Sequence, residues 1–152
     1  MPISQIDAMT NTEFRASVKA RYPQAELFES RYPHACTILC LQENRCRLLY
    51  NGEATPDQID DVFAQAVKAG HTKVGYGLLV DFTHFFGTID WDFAKRRKSI
   101  TPGMEPQPRK IAYVMRDAFA LLAAEAITLW LPQFECQVFQ DIGKAEAWLG
   151  WD

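Results

Sequence analysis

Apolar and polar positions along this chain follow two rhythms, and together they mark most of its elements. "CTILCLQ" (Cys36–Gln42) and "CRLLYNG" (Cys46–Gly52) are apolar runs split by the polar "ENR". Two such runs around a short polar turn predict an antiparallel hairpin. The rhythm then changes to helical spacing in "EATPDQIDDVFAQAVKAG". Ile59, Val62, Phe63, Ala66 and Val67 fall on one face. Thr55 is placed as N-cap, Pro56 as first helical residue and Gln58 as the third member of a capping box. Gly70 stops the helix. "VGYGLLVDF" (Val74–Phe82) is apolar almost throughout, as a strand covered on both faces should be. A helix over Trp91–Ile100 and a strand over Arg109–Met115 follow. Next come a helix over Asp117–Leu131, a short strand over Cys136–Phe139 and a final helix over Asp141–Gly150.

The resulting order is β-β-α-β-α-β-α-β-α. It predicts a single α/β domain with a mainly parallel sheet and right-handed crossovers. The domain is expected to occupy residues 33–152, after an N-terminal extension over residues 1–32. That extension shows a weak helical pattern at Thr12–Ala20 and the pentad "RYPQA", which returns as "RYPHA" at Arg31–Ala35. Each Tyr-Pro step favours extended backbone. The likeness goes no further than the pentad, so it is no structural repeat.

Composition adds bounds. The 152 residues are 48% hydrophobic and 23% charged, within the range of globular proteins and enough for one core. A net charge of −3 gives no reason to expect nucleic-acid binding. No basic-then-apolar leader opens the chain, and no apolar run reaches the roughly 20 residues of a membrane span. A cytoplasmic location with no transmembrane segment is therefore expected. Cys36, Cys40, Cys46 and Cys136 lack metal-ligand spacing and read as reduced thiols in strands. Neither a metal nor a cofactor is expected.

Candidate chemistry gathers where the apolar run 78–80 meets "DFTHFFGTID". Ligands of open α/β sheets collect beyond the carboxyl ends of the strands. Asp81 and Thr83 are placed there, as is Arg116 after the next strand, and His84 is either a ligand contact or a histidine on the loop surface. Thr88 and Asp90 follow as helix N-caps or ligand contacts. No nucleophile elbow, dinucleotide fingerprint or P-loop is present. A small enzyme using Asp81 or Asp90 as acid or base remains the competing reading. In "AKRRKSI", Arg96 and Arg97 either complement a helix C-terminus or join Arg109 and Lys110 in holding an anion. The helix Ala118–Leu131 has only Glu125 and Thr128 as polar residues. Phe119, Leu122 and Trp130 on it need a cover. The N-terminal extension, a second subunit and an acyl-chain ligand are the three candidates. Trp148, Leu149 and Trp151 are expected to dock the last helix on the sheet.

Four stretches, "RLLYNGEATPDQID", "GYGLLVDF", "PRKIAYVMRD" and "CQVFQDIGKAEAWLG", resemble the STAS superfamily and its small SpoIIAA-like, STAS/SEC14-type bacterial members. The resemblance spans about 35–150. It implies a compact and generally non-enzymatic domain, acting as a protein-interaction switch or holding a lipid-like or other small ligand. In the anti-sigma-factor antagonists of that superfamily, the helix after this strand opens on a phosphorylatable serine preceded by aspartate. Asp81 matches the strand-end acid, and the phosphoacceptor falls near Thr88–Asp90, where no serine stands. The resemblance thus implies a binding or regulatory domain. Its expected partners are a second copy of the chain, a lipid-like ligand or a regulatory protein.

Overall fold

The computed structural model describes residues 9–32, 35–43, 45–53, 55–72, 77–85, 109–115 and 135–151. Six strands form one sheet in sequential order: β1 (Glu26–Tyr32), β2 (Ala35–Gln42), β3 (Arg45–Gly52), β4 (Gly77–Phe85), β5 (Lys110–Val114) and β6 (Glu135–Phe139). β1, β2 and β3 pair antiparallel, whereas β3 through β6 pair parallel. The described helices are α1 (Asn11–Arg21), α2 (Pro56–Lys68) and α3 (Ile142–Trp148). The expected α/β class, the β2–β3 hairpin and the parallel β3–β6 block are all present. The helices expected at 91–100 and 117–131 lie outside the described residues.

The N-terminal segment differs from the expected extension ahead of the core. Residues 11–32 form a helix and a full edge strand of the sheet. "ELFESRY" hides its strand character because Glu26, Glu29 and Arg31 put charge along an edge, as exposed edges often do. Pairing from Glu26↔Leu41 to Tyr32↔Ala35 supplies the ladder. α2 covers this edge region. Gln58 Nε2 donates to the Ser30 carbonyl and Gln65 Nε2 to the Glu29 carbonyl, each at 3.0 Å. Gln58 also closes the capping box with Thr55. The α2 stop falls at Gly70, whose φ of +101° suits glycine, and the His71 N–H donates back to the Ala66 carbonyl.

The two faces of the sheet carry different covers. On one face Leu39, Leu48, Tyr50, Leu78, Val80, Phe82, Ile111 and Tyr113 pack with Ile59, Val62, Phe63 and Ala66 of α2. On the other, Phe14 and Val18 of α1 pack on Cys36, Ile38, Cys40 and Leu49. Beside them, Ala145, Leu149 and Trp151 at the C-terminal end pack on Leu79, Ala112 and Val114. The closing "WLGW" makes that second cover by a defined turn. Gly150 has φ +84°, and the Trp151 N–H donates to the Glu146 carbonyl at 2.8 Å, turning the chain back over the sheet. Leu149 fits because Gly77 on β4 has no side chain; a Cβ there would stand 2.8 Å from Leu149 Cδ2.

Candidate functional site

β4 does not end at Asp81. It runs on to Phe85 and accommodates one extra residue on the way, because Leu49 pairs with Asp81 but Asn51 pairs with His84. Such a bulge leaves backbone groups outside the regular ladder. Asp81 supplies the missing acceptor. Its Oδ1 accepts the Thr83 N–H at 2.9 Å and the Thr83 hydroxyl at 2.5 Å. A short acid folding back onto the residue two further on is a turn device of Asp and Asn. Asp81 is 5% exposed, so this pairing occurs away from bulk water.

The bulge also decides where the neighbouring side chains point. Val80 and Phe82 belong to the α2 face, which puts Asp81 on the α1 face by alternation. His84 returns to that same face, with its ring edge-on to Phe14 at 6.3 Å between centroids. Burial pushes the His84 imidazole below its ordinary value; Asp81 pulls it up and Arg21 pushes it down. Its Nδ1 is buried and finds no hydrogen-bond partner among the described residues. Asn51, beside His84 in the ladder, donates from Nδ2 to the Met9 carbonyl at 2.9 Å and to Asn11 Oδ1 at 3.3 Å. The α1 entry is thereby tied to the strand ends. On the opposite face Phe82 stacks on Tyr50 at 4.9 Å and on Tyr113 at 6.2 Å, and meets Phe85 edge-on at 5.1 Å.

Of the residues singled out from the sequence, Asp81, Thr83 and His84 are thus brought together on one bulge. Thr88, Asp90, Arg96, Arg97, Arg116, Phe119, Leu122 and Trp130 lie outside the described residues. Lys110, a candidate anion contact, places its ammonium 4.8 Å above the Trp148 ring and donates to the Trp148 carbonyl. Cys36 and Cys40 are buried, and desolvation pushes both thiols up to about 11, which keeps them protonated near neutral pH. Among the described residues no group of three His, Cys, Asp or Glu side chains is placed to hold a metal ion. Among them, too, no helix is long and apolar enough to cross a membrane.

One charged residue escaped the sequence reading. Arg47 lies inside the apolar run of β3 and is only 2% exposed. Its guanidinium carbon stands 4.3 Å from the Tyr22 ring centroid and 5.0 Å from that of Trp151. Its Nη2 donates to Glu146 Oε2 at 2.6 Å. The available signal was the period of two: with Cys46 and Leu48 facing α2, Arg47 had to enter the opposite face beside Leu49.

The model of the SpoIIAA-like family matches residues 45–150, from β3 to the end of the C-terminal turn. The chain belongs to the SpoIIAA-like family. The matched region leaves out α1, β1 and β2. Among solved structures, the chain is similar to an uncharacterized protein of the DUF3478 family with a SpoIIAA-like fold from Shewanella loihica PV-4. The two share 16% identity over 82% of this chain and 93% of that one, with a TM-score of 0.49. No curated protein matches the sequence.

Proposed function

We propose that this SpoIIAA-like chain is a non-enzymatic binding or regulatory domain. It holds a lipid-like or other small apolar or anionic ligand, or a protein partner, near the carboxyl ends of its strands at Asp81–His84. The observation that carries this reading is the use made of Asp81. Its carboxylate is engaged twice by Thr83 and serves the β4 bulge, so its hydrogen-bonding capacity is directed to local structure. His84 beside it is biased toward the neutral form and lies against Phe14. A small enzyme using Asp81 or Asp90 is the competing reading, and it requires a carboxylate open to proton transfer with substrate. Native mass spectrometry of the purified chain separates the possibilities. A second subunit or a stoichiometric small molecule on the chain mass is the expected result. A bare monomer that gains no mass from phospholipid or acidic-peptide mixtures removes the binding reading.

A further inference from the structure

Arg47 belongs to β3, a central strand, but three of its side-chain partners come from the two ends of the chain. Tyr22 caps α1, Glu146 lies on α3, and Trp151 follows α3. We infer that the Arg47 guanidinium is a clasp that couples the docking of α1 to the docking of α3 on their shared sheet face.

The coupling runs in both directions. Tyr22 covers Arg47 only when α1 is seated, and that cover withdraws a cation from water. Burying an unpaired charge is costly, so the seat under Tyr22 is favourable only while Glu146 supplies the counter-charge. In reverse, the Arg47–Glu146 pair is strong only while water is excluded, because the same pair in high dielectric contributes little. Lifting α1 admits water to the pair and weakens the hold on α3. The guanidinium heightens this dependence, since its Nε and Nη1 are buried as well. Both covers are small enough to respond. α1 buries only Phe14 and Val18, and α3 is seven residues long. Coupling between sites is reciprocal, and typical values change an equilibrium by roughly 5- to 150-fold.

Native-state hydrogen exchange tests this on the intact chain. In Glu146→Gln, amides of α1 should exchange at least about fivefold faster, although no α1 residue is altered. In Tyr22→Leu, amides of α3 should do likewise. In an Arg47→Met background, which replaces the clasp by an apolar side chain, neither substitution should transmit to the other helix. Acceleration confined to the mutated helix overturns the proposal. So does equal acceleration across α1, α3 and the β2 and β4 amides, which reports global loss of stability. Transmission that persists in the Arg47→Met background also overturns it.

Discussion

The two faces of the sheet achieve burial by different means. Against α2 the strands present side chains such as Leu48, Val80 and Ile111, and among the described residues no charge is buried there. Against α1 and α3 they present Arg47, Asn51 and Asp81 among Ile38, Cys40 and Leu79. The first face is held mainly by area removed from water and tolerates small changes of geometry. The second depends on each polar group finding its partner, so the loss of one partner matters more than the loss of the pair.

That contrast is open to direct test, starting with the largest effect. Phe63→Ala, in the centre of the α2 face, should lower the unfolding free energy by about 3–5 kcal/mol in denaturant titration. A loss under about 1 kcal/mol would mean that the α2 face is not the main core. On the other face an asymmetry is expected. Glu146→Ala strands the buried Arg47 cation and should cost about 2–4 kcal/mol, the 26% exposure of Glu146 keeping it below the fully buried limit. Arg47→Met removes the charge as well and should cost less than Glu146→Ala. Equal losses in the two variants would show that the pair acts by packing alone. Next, Thr83→Val removes the hydroxyl that donates to Asp81 and should cost about 1–2 kcal/mol, with the bulge retained through the Thr83 N–H.

The smallest expected effect is a pH slope. Burial lowers the His84 pKa from its ordinary 6.5, so the folded chain resists a proton that the unfolded chain accepts. Stability should therefore fall as pH drops below 6.5, until the folded-state pKa is passed. Denaturation midpoints at pH 7.5 and 5.5 should differ less in His84→Gln than in the parent chain. Identical differences would place the slope in other groups.

Legibility in the sequence followed the same division. Thr55, Pro56, Gln58 and Gly70 announced α2, and each has the predicted place in the structure. The hairpin of β2 and β3 and the strand–helix ending at Glu135–Trp148 were equally plain, because their periodicity is strong and their caps are local. From the sequence Asp81 stands out as an acid and predicts a strand end. The bulge that carries β4 on to Phe85 depends on register against Leu49 and Asn51, which no short window contains. β1 was hidden because its polar edge residues resemble a turn until β2 pairs with them.

Local chemistry settled which segments curl, which extend and which side chains share a face, since caps, glycine stops and periodicity act within a turn or two of chain. Long-range contact decided the rest. Whether a charged residue on an apolar strand meets water or a partner depends on what arrives above it. For Arg47 those arrivals are Tyr22 from one end of the chain and Glu146 and Trp151 from the other, brought over one strand by the folded sheet.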